Sequence, residues 1–153
     1  MLGAPHLPHG RGKGAQALAE IPPERRSPAA SHTLAAGTAY FLKHHVHKRS
    51  HDLAQTSKPG WRRFQFPLMY QTDVLEILGI LAKLGMLAEG VRDERTQEAL
   101  DLVASRQDEQ GRWKLQQTFN GRFVVDIEAK GEPSRWVTLK ALQVLKAAGR
   151  LAE

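Results

Sequence analysis

Hydrophobic residues recur at helical spacing along most of the chain. Residues 27–48, 67–85 and 134–149 each carry a broad apolar face, and residues 93–107 form a more amphipathic stretch. A shorter helical piece at residues 14–21 ends at two consecutive prolines, which disfavour helix. The pattern predicts a mostly helical chain with long connections.

The boundaries of these predicted helices carry recognisable signals. Ser27 and Ser134 stand where an N-cap is expected, and Pro28 suits the first turn of a helix. Gly85 and Gly149 follow the last apolar positions of two helices, where glycine commonly ends a helix. These five signals predict where the helices begin and end.

One connection is expected to contain a small β-hairpin. Asn120-Gly121 lies between residues 114–118 and residues 122–127, which alternate mildly in hydrophobicity. An Asn-Gly pair between such segments is typical of a tight two-residue turn joining antiparallel strands. Residues 1–13 lack apolar periodicity, so we expect a disordered basic lead there and a single domain over residues 14–153.

The chain contains an internal repeat. Residues 70–85 align without a gap onto residues 134–149, each position lying 64 residues after its counterpart (149 − 85 = 64). The alignment pairs Leu75 with Leu139, Leu78 with Leu142, Leu81 with Leu145 and Gly85 with Gly149. Each apolar helix follows a more amphipathic helix and a long loop, so the repeated unit is helix, loop, helix.

Composition narrows the classes of protein and partner. Cysteine is absent, which excludes disulfides and thiolate metal ligands. No apolar run reaches the roughly 18 residues of a membrane span, and we expect a cytoplasmic protein. The net charge of +6 is concentrated in residues 1–66, which hold ten Lys or Arg, three acids and all seven histidines. This half is a candidate for binding anionic surfaces, although the stacking aromatics of nucleic-acid modules are missing, so nucleic acid is not the expected partner.

A short motif resembles a known family. Gln107-Asp-Glu-Gln-Gly111-Arg-Trp113 is similar to the Gln-x-x-x-Gly-x-Trp repeat of the terpene cyclase and protein prenyltransferase superfamily, which includes squalene-hopene cyclases. The segments Phe66-Pro-Leu-Met-Tyr-Gln-Thr-Asp73 and Phe119-Asn-Gly-Arg122 extend the resemblance, which is closest to uncharacterised bacterial and archaeal members.

The resemblance implies an all-α fold: part of an α/α toroid with about two helix-hairpin repeats, equivalent to the C-terminal part of such a protein. It also implies that Gln107, Gly111 and Trp113 have a structural role. Because a complete toroid has about six helix pairs, self-association or a missing segment is expected to complete it.

The chemistry of the family is not carried over with the motif. The Asp-x-Asp-Asp acid of the cyclases and the Cys zinc ligand of the prenyltransferases are both absent, so catalysis is open and no cofactor is expected. The candidates to line a cavity for an isoprenoid or other lipid lie at the starts of the two repeated helices: Tyr70, Asp73, Arg135 and Trp136. Asp73 is the candidate catalytic acid, or alternatively a helix cap.

Two further interpretations remain open from the residues alone. The chain is alternatively a non-catalytic scaffold that assembles with itself or with another chain through its apolar helix faces. His44, His47 and His51 stand at i, i+3 and i+7 and form a weak candidate metal site if one helix carries all three. A solvated helix end without metal is the expected outcome there.

Overall fold

The computed structural model describes residues 9–151, in which five α-helices alternate with long connections. The helices are α1 (His9–Ala19), α2 (Pro28–Lys43), α3 (Val74–Lys83), α4 (Gln97–Ala104) and α5 (Arg135–Ala147). Short 3₁₀ helices lie at Pro23–Arg25, Pro59–Arg62 and Glu94–Thr96. Of the expected basic lead, residues 1–8 lie outside the described residues, and the remaining residues are helical from His9 onward.

The expectation of an all-α fold is wrong, and with it the partial α/α toroid. Two small antiparallel sheets accompany the helices: β1 (Lys48–Arg49) pairs with β2 (Asp52–Thr56), and β3 (Trp113–Lys114) pairs with β4 (Pro133–Ser134). The fold is therefore mixed, although mostly helical. The first sheet was missed because β2 is largely exposed and shows no alternation between apolar and polar residues.

The predicted β-hairpin around Asn120-Gly121 is also wrong. The turn itself is present, because the amide of Arg122 donates to the carbonyl of Phe119 at 3.0 Å and Gly121 has φ +81°. The flanking residues do not pair, and side chains close the loop instead. The amide of Gly121 donates to Asp126 at 2.9 Å, and the Asn120 side chain donates to the carbonyl of Glu128 at 2.7 Å.

Several predicted helix ends are confirmed by their capping geometry. The hydroxyls of Ser27 and Ser134 accept hydrogen bonds from Ala30 and Val137, at 3.2 and 3.0 Å. After α3 and α5, Gly85 and Gly149 have φ +74° and +64°, the left-handed conformation that glycine adopts without strain. The two helices end 64 residues apart (147 − 83 = 64), as the repeat predicts.

Several helix boundaries differ from the prediction. Helix α1 spans His9–Ala19 rather than residues 14–21, and α4 spans Gln97–Ala104 rather than residues 93–107. Helix α2 ends at Lys43 rather than Lys48, because His45 and Val46 adopt positive φ angles of 44° and 69° and turn the chain into the first sheet. Helix α3 begins at Val74 rather than at residue 67, because Asp73 caps it. The core is built around α3, which packs against α1, α4 and α5.

Candidate functional site

Asp73 is a buried cap. Its side chain is at the N-terminus of α3, where Oδ1 accepts from the amide of Glu76 at 2.8 Å and Oδ2 accepts from the amide of Gln65 at 3.0 Å. Only 2% of the residue is exposed. Burial raises the pKa of Asp73 to about 6, and the two amide bonds act in the opposite direction. Each carboxylate oxygen therefore accepts a hydrogen bond from a backbone amide.

The Trp of the sequence motif joins two helices. Trp113 is fully buried, and its indole Nε1 donates to the carbonyl of Val103 in α4 at 2.7 Å. Its amide donates to the Thr138 hydroxyl of α5 at 3.0 Å. Gly111 has φ +77°, while the Gln107 side chain is exposed and makes no hydrogen bond within residues 9–151. The link from loop to helix is made by the tryptophan rather than by the glutamine.

An exposed apolar groove lies at the start of α5. It measures about 420 Å³ and is lined by Ile127, Glu128, Arg135, Trp136 and Leu139, which we call the Trp136 groove. Trp136 is 47% exposed and Leu139 is 48% exposed. The Trp136 ring stacks on Phe66, with ring centroids 5.0 Å apart and planes at 12°. This stacking holds the indole in place while one part of it faces solvent.

The polar side chains of the Trp136 groove differ in how they are used. Glu128 accepts from the Ser134 hydroxyl and, at 2.8 Å, from the amide of Arg135, so its carboxylate supports the capped start of α5. The guanidinium of Arg135 has no acceptor within the described residues. The Arg135 guanidinium, with N–H donors that have no acceptor within the described residues, therefore borders the apolar side chains of the groove.

The structure separates the four predicted cavity residues. Arg135 and Trp136 lie together in the Trp136 groove, and Asp73 is buried in its cap. Tyr70 is exposed and packs on Phe119, with ring centroids 5.8 Å apart. Tyr70 and Asp73 are not among the residues that line the groove.

Sequence reasoning missed two residues that line this groove. Leu139 is aligned with Leu75 in the repeat, and Ile127 lies in one of the two segments expected to flank a hairpin turn. No sequence signal marked either residue as exposed, although Leu139 is 48% and Ile127 is 50% exposed.

A second groove of about 360 Å³ lies among α1, α3 and α5. Gly79, Ile80, Val144 and Glu76 contribute to its walls, and the buried carboxylate of Glu76 forms an ion pair with Lys13. Compared with the Trp136 groove, this one carries more charged side chains and no aromatic ring.

The three histidines do not share a helix face. Helix α2 ends at Lys43, so all three lie beyond it. The His44 ring lies 3.0 Å from the carbonyl of Lys48, His51 is exposed, and His47 is buried. Burial lowers the pKa of His47 to about 4, against a smaller opposing effect of Glu98. Within residues 9–151, no three His, Asp or Glu side chains are grouped closely enough to hold a metal ion.

Comparison with known proteins gives no family assignment. No family model, curated protein or solved structure matches the chain. Among the helices of residues 9–151, none combines the length and the apolar character needed to cross a membrane.

Proposed function

We propose that this chain binds the apolar part of an isoprenoid- or lipid-like ligand in the Trp136 groove. The observation that carries the proposal is the stacked Trp136, half-exposed beside Leu139 and Ile127, in a groove of about 420 Å³. Pockets for small molecules typically measure about 300–1,000 Å³ and are lined mainly by apolar and aromatic side chains. A stacked indole offers a large apolar area whose conformation is already fixed.

The free guanidinium of Arg135 supports an amphiphilic ligand. Arg135 borders the groove, while the nearby Glu128 is occupied by hydrogen bonds to Ser134 and to the Arg135 backbone. A carboxylate or other anionic head group pairs with a guanidinium through charge-assisted hydrogen bonds. The proposed ligand therefore has an apolar chain, and a ligand that also carries an anionic head group is expected to bind more tightly.

The role of Asp73 favours binding rather than catalysis. Its two oxygens accept backbone amides, and the residue is 2% exposed and does not line the groove. Glu128, the acid that does line the groove, accepts hydrogen bonds from Ser134 and from the Arg135 amide. The resemblance to the terpene cyclase and prenyltransferase superfamily supports the isoprenoid class, while the missing Asp-x-Asp-Asp acid agrees with a non-catalytic member. A cytoplasmic location is part of the proposal and accords with the absence of cysteine.

Tryptophan fluorescence tests the proposal directly. Trp61 and Trp113 are buried, so ligand binding in the groove will change mainly the emission of Trp136. We expect saturable titration with farnesol and with oleate, both below their micelle concentrations. Leu139→Asp is expected to weaken both at least about tenfold, because the apolar contact is lost and a carboxylate is introduced.

Leu53→Asp is the matched control, since Leu53 is 44% exposed on β2 and does not line the groove. Equal effects of the two substitutions, or no saturable signal, would contradict the proposal. Sedimentation velocity separates the remaining alternative. A wild-type dimer that Leu139→Asp converts to monomer, with no ligand response, would show that this surface serves assembly.

A further inference from the structure

Three arginines converge on a groove that the proposed lipid site does not include. This groove measures about 460 Å³ and is lined by Thr56, Pro59, Arg62, Arg63 and Arg106, which we call the arginine groove. It lies where the 3₁₀ helix Pro59–Arg62 meets the residues that follow α4. None of its lining residues is acidic.

Arg106 is held in one orientation by its neighbours. Its Nη1 donates to the carbonyl of Arg62 and, at 2.7 Å, to Oε1 of Gln116. The guanidinium also lies over the ring of the buried Phe64, 4.8 Å from the centroid. These contacts leave Nε and Nη2 of Arg106 without an acceptor among residues 9–151. Three N–H donors of a fixed guanidinium are thus available to a ligand.

The positive charges of the other two arginines are not neutralised by an acid within the described residues. Arg62 and Arg63 are exposed, and neither guanidinium has an acceptor or an ion pair within the described part of the chain. Burial and the charge of Arg62 together lower the pKa of Arg106, which indicates that like charges are close. The surrounding residues 43–66 contain six Lys or Arg and one acid, Asp52. Like charges held together without a counter-charge favour a multivalent anion.

We propose that the arginine groove binds the phosphate group of a small phosphorylated ligand. The planar guanidinium matches a phosphate through two parallel N–H···O bonds, and several arginines around one groove can share the oxygens of one phosphate. A nucleic-acid strand fits less well, because none of the lining residues is an aromatic on which bases would stack. The site is independent of the proposed lipid site.

Isothermal titration calorimetry of the full chain with inorganic phosphate, pyrophosphate and glucose 6-phosphate tests the site. We expect one anion to bind per chain. Comparing glucose 6-phosphate with inorganic phosphate and pyrophosphate will show whether the groove prefers a phosphate ester or a free anion. Arg63→Gln and Arg62→Gln are each expected to weaken binding about tenfold, since each removes one charged pair. Neither side chain makes a hydrogen bond or an ion pair within residues 9–151, so the fold should be retained, which circular dichroism will check.

Arg25→Gln is the charge-matched control, because Arg25 is exposed on the 3₁₀ helix Pro23–Arg25 and does not line the groove. It should leave the affinity unchanged. Arg63→Lys should bind more weakly than wild type, because lysine keeps the charge and loses the planar fork. The proposal is overturned if no anion binds stoichiometrically, or if Arg25→Gln weakens binding as much as Arg63→Gln. Tighter binding of a single-stranded oligonucleotide of about 20 nucleotides, increasing with its length, would also overturn it.

Discussion

Helices α3 and α5 carry the same hydrophobic pattern in different surroundings. Helix α3 packs against α1, α4 and α5, whereas α5 packs against α3, α4 and β3 and leaves one side open. The repeat aligns Leu75 with Leu139, yet Leu75 is 2% exposed and Leu139 is 48% exposed. The same leucine thus contributes to the core in one helix and to a surface in the other.

The helix starts differ in the same way. Asp73 caps α3 from a fully buried position, and its second oxygen also fixes the loop at Gln65. Ser134 caps α5 with a neutral hydroxyl, which in turn donates to Glu128. The central helix therefore depends on a titratable group that its repeat partner lacks. The candidate site belongs to the second repeat because Trp136 and Leu139 of α5 are exposed there.

Truncating the aligned leucines tests this comparison with the largest expected effect. Leu75→Ala should lower the free energy of unfolding by about 3 kcal/mol, because a buried leucine leaves a cavity. Leu139→Ala should change it by no more than about 0.5 kcal/mol, because much of the side chain already faces solvent. Urea denaturation of both variants measures the difference. Similar losses for the two would mean that the open side of α5 is covered in solution.

The pH dependence of stability probes the two caps. The pKa of Asp73 is about 6 in the folded chain, against 3.8 for an ordinary Asp, so the folded state holds this proton more tightly. Its stabilising contribution is fully present below pH 3.8 and is lost as the pH rises through about 6. The free energy of unfolding of wild type relative to Asp73→Asn should therefore fall, by on the order of 2 kcal/mol, between about pH 4 and pH 7.

Asp93 provides the contrasting control for that experiment. Its hydrogen bond with Arg95 lowers its pKa to about 2, so its contribution is present above the ordinary pKa of 3.8 and is lost only in stronger acid. The difference in free energy of unfolding between wild type and Asp93→Asn should therefore not change with pH above about pH 5. His47 titrates in both members of each pair, so its effect cancels in the differences. If the difference in free energy of unfolding between wild type and Asp73→Asn did not change with pH, burial would not raise the pKa of Asp73 as proposed.

The sequence predicted the helices better than the connections, for physical reasons. Serine caps and terminal glycines act locally, so Ser27, Ser134, Gly85 and Gly149 marked helix ends correctly. The β-strands had no such signal, since β3 and β4 are two residues long and β2 is mostly exposed. The end of α2 was missed because no glycine precedes the sheet.

The sequence could not show which apolar side chains are left exposed. Hydrophobic periodicity shows which face of a helix is apolar, but it does not show whether a neighbour covers that face. Arg135 and Trp136, which the sequence offered as cavity residues, both line the Trp136 groove, whereas the exposure of Leu139 could not be foreseen because Leu139 aligns with the buried Leu75. The sequence left two interpretations of Asp73 open, a catalytic acid or a helix cap. In the structure it is a buried cap that accepts hydrogen bonds from two backbone amides.

The smallest expected effect concerns Gly79, whose repeat partner is Gln143 (143 − 79 = 64). Gly79 lies inside α3, and a Cβ added there would meet no atom within 4 Å. Gly79→Ala should therefore raise the free energy of unfolding by about 0.5–1 kcal/mol, because alanine lowers the entropy of the unfolded chain and fits the helix. Gln143→Ala, on the exposed side of α5, should be nearly neutral. Urea denaturation measures both, and a destabilised Gly79→Ala would mean that the groove among α1, α3 and α5 is tighter in solution than its open volume implies.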